Sequence, residues 1–242
     1  MAGHSHAKNI KIRKAAVDSK RSKLFSKLAR LVITAARDGA DPRMNAKLAF
    51  AISKAKAVSL PKETIEKAIK KGSGEAGGDG FESVQYEGYG PGGVAVICDI
   101  LTDNRNRTAG EIRKIFDVNG GKLGTTNCVG YMFQRKGRFL VEGAGKDEDA
   151  MMELAMEAGA EDLVAGTDCF EIICDPAAFA GVGAALAEKG IQPAEADIVQ
   201  IAETDVAVQG EDAARVAKLL DALDDHDDVQ NVFSNADLPE EN

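Results

Sequence analysis

The chain has 242 residues, of which 44% are hydrophobic and 29% charged, with a formal net charge of −9. That length is comfortable for two or three domains, and the composition supports both a core and a well-solvated surface. No apolar run approaches the roughly 18 residues that span a bilayer, and the N-terminus lacks the apolar stretch of a signal peptide. These features argue against a membrane-spanning segment, so that no membrane is expected as the main partner, and they point to the cytoplasm, with an organelle transit peptide as the alternative reading of the basic start.

The net charge conceals an asymmetry. Residues 1–75 hold 18 Lys/Arg against 6 Asp/Glu, a net of +12, and the remaining residues hold 12 against 33, a net of −21. So much charge of one sign in 75 residues opposes folding unless a polyanion offsets it. Nucleic acid fits best, with an anionic membrane or an acidic protein surface as alternatives. Residues 1–18 read as a basic arm. From Lys20 to Arg37, Leu24, Leu28, Leu31, Val32 and Ala35 recur at helical spacing, and Lys20, Lys23, Lys27, Arg30 and Arg37 recur on the opposite side, with Arg21 beside them. The spacing predicts one face packed inward and one row of positive charge turned to solvent. A second helix follows Asp41-Pro42 with Met44, Leu48, Ile52 and Ala55 inward. A third begins near Ser59-Leu60-Pro61, where proline suits the first turn, and presents Ile65 and Ile69 before Gly72 stops it. Five glycines in residues 72–80 then read as a flexible joint on which this helical unit reorients.

Beyond the joint the period changes to two. Gly93–Leu101 reads as a strand with Val94, Val96, Cys98 and Ile100 on one face. Thr108 with Glu111 reads as a capping box opening a helix that buries Ile112, Ile115 and Phe116. Strands are expected at Cys128–Phe133, Arg138–Glu142, Leu163–Val164, Cys169–Cys174, Ala196–Ile201, Thr204–Val208 and Val229–Ser234. Helices are expected at Asp147–Ala158, Ala177–Lys189 and Glu211–Leu223. The middle set is βαββαβ and the outer pieces make βαβ plus βαβ around it, so two ferredoxin-like units, one inserted in the other, fit the pattern. The fold class is α+β in three domains: residues 1–80, the discontinuous 81–134 with 203–242, and the inserted 135–202.

Few residues offer chemistry. Cys98, Cys128, Cys169 and Cys174 form no C-x-x-C pair. Cys169 and Cys174 have opposite strand parity, so they do not converge as zinc requires, and four buried thiols in a reducing compartment are expected. Gly88, Gly90 and Gly93 spell G-x-G-x-x-G, but a strand follows where a dinucleotide site needs a helix. The acidic stretch Asp221–Asp228, with His226 inside it, reads as a solvated turn rather than a metal cluster, and the tail from Asp237 to Asn242 as disordered. No cofactor, small-molecule substrate or catalytic residue is expected. Arg105 and Arg107 lie before a helix N-terminus, where guanidinium suits phosphate, although the neighbouring Asp and Asn side chains equally well tie that loop internally.

Met1-Ala-Gly-His-Ser5, Arg13-Lys14-Ala-Ala16, Tyr86-Glu-Gly-Tyr-Gly-Pro-Gly-Gly93, Leu101-Thr-Asp-Asn-Arg-Asn-Arg-Thr108, Gly120-Gly121 with Leu123-Gly124, and Asp227-Asp-Val-Gln230 occur in this order. Together they resemble the YebC/PmpR family, which includes the mitochondrial translational activator of cytochrome c oxidase. The resemblance runs over nearly the whole chain. It implies a helical N-terminal domain followed by two ferredoxin-like domains. It also implies either a DNA-binding transcriptional regulator or an RNA-binding translation factor on the ribosome, including at proline-rich stalls, and no enzymatic chemistry. The arm would make the deepest contacts, here through Gly3, His4, Ser5, Lys8, Lys11, Arg13 and Lys14. The family usually carries an aromatic after His-Ser, and this chain has His6 and Ala7 there, which removes a base-stacking ring. Phosphate contacts do not separate DNA from ribosomal RNA. A hinged basic unit with an acidic body leans towards RNA, and the customary family description leans towards transcription.

Overall fold

The structure, a computed structural model, describes residues 21–74, 80–143, 147–166 and 168–239. The arm and the centre of the glycine joint lie outside the described residues. Three helices come first: α1 (Arg21–Ala36), α2 (Ala46–Ala57) and α3 (Lys62–Gly72). Leu28, Val32, Ala35, Leu48, Ala51, Ala55, Leu60, Ile65 and Ala68 form their shared core. Buried Asn45 fastens the α1–α2 corner. Its side chain accepts from the Leu48 N–H at 3.0 Å and donates to the carbonyls of Ala35 and Gly39 at 2.7 and 2.8 Å. Met44, expected inward, is 87% exposed, because the helix begins after it and its position precedes the periodic face. Gly72 packs against the Ile33 carbonyl and Ala36 so closely that a β-carbon has no room.

Two antiparallel sheets follow. The chain continues through β1 (Glu82–Tyr89), β2 (Ala95–Thr102), α4 (Arg105–Val118) and β3 (Lys122–Leu123). It then runs through β4 (Phe133–Glu142), α5 (Glu148–Glu157), β5 (Ala160–Ala165), β6 (Cys169–Cys174), α6 (Phe179–Glu188) and β7 (Glu195–Ala202). It ends with β8 (Val206–Ala207), α7 (Gly210–Asp224), β9 (Val229–Ser234) and β10 (Ala236–Asp237). The inserted sheet has the order β5-β6-β4-β7, which is the ferredoxin-like order for a βαββαβ unit, and the outer sheet has the matching order β3-β1-β2-β9. In the outer sheet, β1 fills the place that a third strand would take after the helix. The fold is thus α+β with one ferredoxin-like unit inserted in the other, behind an N-terminal helical domain.

Several elements differ from their sequence reading. β1 was hidden because its Gly and Tyr residues read as part of the turn, and a short 3-10 turn at Pro91–Gly93 joins it to β2. A strand, β2, follows the glycines rather than an α-helix. β2 is buried on both faces: Val96, Cys98 and Ile100, with Val94 just before the strand, meet α4 and α7, while Ala95 and Ile97 meet Val129, Phe133 and Ala202. Cys128–Phe133 is not a strand but a loop ending in a 3-10 turn at Gly130–Met132. Helix α4 starts at Arg105 because Asn104 caps it, accepting from the Arg107 N–H at 3.1 Å; Thr108 is an interior, buried residue. The tail is not wholly irregular: Ala236–Asp237 pairs in parallel with Val206–Ala207, and Leu238 packs on the outer core. Residues 240–242 lie outside the described residues. Only Cys98 and Cys174 are buried; Cys128 and Cys169 are partly exposed. Burial pushes the Cys98 thiol far above its ordinary range.

Candidate nucleic-acid interface

Among the basic residues singled out in the sequence, Lys8, Lys11, Arg13, Lys14 and Lys20, with Gly3, His4 and Ser5, lie outside the described residues. Arg21 and Lys23 fall in the first turn of α1, with side chains outside the description. The rest of the α1 row is not turned to open solvent. Lys27 Nζ donates to the Asp224 carbonyl at 2.6 Å and lies 3.4 Å from its Oδ1. The acceptor is the last residue of α7, where unsatisfied carbonyls concentrate partial negative charge. One turn on, Arg30 Nη1 donates to the Asp227 carbonyl at 2.6 Å and to Asp228 Oδ1 at 2.7 Å. Its guanidinium also stands 5.6 Å from the centroid of the Phe81 ring. Arg37 donates to the Phe81 carbonyl at 2.7 Å. The expected solvent-facing row is corrected for its described members: Lys27 and Arg30 meet the acidic C-terminal turn and Arg37 meets the Phe81 carbonyl.

That turn is only in part the solvated feature expected: Asp221, Asp225 and Asp227 are exposed, but Asp228 is buried. The Asp228 side chain is 4% exposed. Besides Arg30, its Oδ2 meets Arg107 Nη2 at 2.9 Å, the Thr108 hydroxyl at 2.7 Å and the Thr102 hydroxyl at 3.1 Å. Burial pushes this carboxyl up. The hydrogen bonds from Thr108, Arg107 and Thr102, with the charge of Arg30, outweigh burial and hold it below the usual aspartate range. His226 Nδ1 accepts the Asp228 N–H at 3.1 Å, which leaves Nε2 facing Glu111 at 3.0 Å. Glu111, His226 and Asp228 offer ligand atoms within 4.8 Å of one another, and both Asp228 oxygens are already engaged by Arg30, Arg107 and the two threonine hydroxyls. A groove of about 890 Å³ opens beside it between α4 and the end of α7.

Arg105 and Arg107, expected before the helix, lie instead in the first turn of α4, and they part company. Arg107 is tied internally, to Asp103 at 2.9 Å and to Asp228. Arg105 is exposed, and its side chain makes no ion pair with a described residue. The helical unit is also held to the inserted unit, through an ion pair of Lys54 with Asp197 on β7 and an edge-to-face contact of Phe50 with Phe179 on α6 at 5.9 Å. In the described arrangement the helical unit, expected to reorient, is therefore docked at both sheets.

Exposed charge in this unit lies elsewhere. Arg43, Lys47 and Lys62 pair locally with Asp41, Asp38 and Glu66. Lys67, Lys70 and Lys71 on α3, with Lys56 on α2, are exposed and make no ion pair with a described residue. Positions 67, 70 and 71 share one helix face, opposite Ile65 and Ala68. That spacing was present in the sequence beside the apolar period and is the signal that could have found them.

Family models described as the TACO1/YebC protein N-terminal domain and the TACO1/YebC second and third domain match residues 5–75 and 81–236. A relative from Pelotomaculum thermopropionicum, named a probable transcriptional regulatory protein, is 51% identical over 98% of this chain and 99% of its own. One of the same description from Rhodopirellula baltica is 50% identical over 100% and 98%. The crystal structure of a conserved hypothetical protein from Aquifex aeolicus superposes with a TM-score of 0.85 at 45% identity, covering 93% of each chain. Among the described residues no helix is long and apolar enough to cross a membrane. With both family models matched and relatives at half identity along its length, this chain belongs to the TACO1/YebC family.

Proposed function

We propose that the chain is a non-enzymatic, nucleic-acid-binding regulator of gene expression that grips phosphate through residues 1–80, with 81–134 plus 203–242 and 135–202 as the two sheet units behind. The observation that carries this reading is the unpaired lysine face Lys67, Lys70 and Lys71, set on a segment of net +12. The relatives named probable transcriptional regulatory proteins support duplex DNA as the target. Exposed lysines give sequence-independent phosphate contacts, so selection among sites rests with the arm and Arg105.

A second reading, an RNA-binding factor acting on the ribosome, draws on the docked arrangement. Lys27 and Arg30 hold the helical unit against a body of net −21, which duplex DNA would repel, whereas an irregular RNA surface offers phosphates on several sides. The test is filter binding with duplex DNA and with structured RNA, using the wild type and the triple variant Lys67→Glu, Lys70→Glu, Lys71→Glu. The variant should lose about two to three units of log–log salt slope, at about 0.9 per phosphate on duplex and about 0.7 on single strands. An unchanged affinity and slope would place the phosphate contacts elsewhere. Recovery of nucleic acid by crosslinking in cells, followed by sequencing, separates the two readings.

A further inference from the structure

Between β3 and β4 the chain makes an irregular loop, residues 124–131, whose shape is imposed from beneath. Glu87 is only 5% exposed. Its carboxylate accepts three backbone N–H groups of this loop, from Asn127 at 2.8 Å, Val129 at 2.9 Å and Gly130 at 2.7 Å. Among the described residues no cation pairs with it. A buried carboxylate met by amides alone is costly unless every bond is made, so this arrangement fixes the loop. The Glu87 carbonyl takes the Gly124 N–H, the Tyr89 hydroxyl donates to the Cys128 carbonyl at 3.0 Å, and Val129 is buried between the sheets. Asn127 is held at φ +62°, a conformation non-glycine residues seldom adopt.

What this scaffold displays is polar and aromatic. Thr125, Thr126 and Asn127 are exposed, and Tyr131 is 65% exposed. After burial, the neighbouring Tyr131 is what pushes the Tyr89 hydroxyl up, which sets the two tyrosine hydroxyls near one another at this edge. Lys122 is the cross-strand partner of Tyr89 and exposed; directly paired residues project from the same face. An exposed ring on a braced loop, three short hydrogen-bonding side chains and a lysine thus share one edge of the outer sheet. An apolar peptide finds little to cover there, because the ring's neighbours are polar. A duplex cannot use the ring, since its bases are already stacked. A single strand can, because every unpaired base offers a π-face and a nearby phosphate.

We propose that the Gly124–Tyr131 loop is a second nucleic-acid contact, specific for unpaired strands, in which Tyr131 stacks on a base and Lys122 meets the adjoining phosphate. It rests on the nucleic-acid reading above and narrows it. The test is fluorescence anisotropy of the full chain with a short unstructured RNA and with a duplex DNA of equal length, for wild type, Tyr131→Ala and Tyr131→Phe. Tyr131 is exposed, so its truncation leaves the core intact, and circular dichroism checks that it does. Tyr131→Ala should weaken single-strand binding on the order of ten-fold, leave duplex binding unchanged, and be rescued by Tyr131→Phe. Wild-type affinity for the single strand in Tyr131→Ala, or equal losses on both probes, overturns the stacking site alone. A wild type that binds neither probe overturns the nucleic-acid reading and the site with it.

Discussion

Asp228 is the residue on which three parts of the chain converge: Arg30 from α1, Thr102 from β2, and Arg107 with Thr108 from α4. Removing such an acceptor strands its donors, each a buried or half-buried polar group. Its folded-state pKa is depressed, so its contribution is complete above the ordinary aspartate value of about 3.9 and is lost as pH falls through the lower folded value. Thermal melts from neutral pH to about pH 2 should show Asp228→Asn well below wild type at neutral pH, with the gap closing only below about pH 4. A gap independent of pH would mean that the charge of Asp228 contributes nothing. Glu171 behaves oppositely. Burial pushes its carboxyl up despite Arg138, with Asp162 adding to the rise. It therefore costs stability as pH climbs past its unfolded value of about 4.3, and Glu171→Gln should narrow the fall in melting temperature between pH 4 and 7. A steeper fall in the variant would contradict this.

At the scale of elements, legibility followed the range of the interaction. α1, α6 and α7 were readable because their faces repeat at helical spacing, and Cys169–Cys174 and Val229–Ser234 coincide with β6 and β9. The start of α4 was misplaced because Thr108 and Glu111 imitate a capping box while Asn104, four residues earlier, supplies the actual cap. Thr108 instead turns inward to an aspartate 120 positions away. The Glu87 loop was equally illegible: no local pattern marks a glutamate that serves amides some 40 positions on. This loop should be fragile at its brace. Glu87→Ala leaves three amides without an acceptor and should cost about 2 kcal/mol or more in chemical denaturation. A loss below about 0.5 kcal/mol would show that water replaces the carboxylate readily.

Over the whole molecule, the charge asymmetry of the sequence is partly spent inside the fold. Lys27 and Arg30 bind the acidic end of α7, partners 197 and 198 positions away, and no periodicity could have announced that pairing. Their replacement by glutamate should therefore lower the melting temperature, by bringing like charges together beside Asp224 and Asp228, as well as alter binding. The α3 triple variant, whose lysines are exposed, should keep its melting temperature within a degree or two. The central claim is that phosphate contacts through the basic N-terminal unit hold the nucleic acid. The most direct measurement is the affinity of the wild-type chain for nucleic acid against salt concentration, from about 50 to about 200 mM. A log–log slope of several units is predicted, reduced by the α3 triple variant; a flat dependence in the wild type would contradict the account.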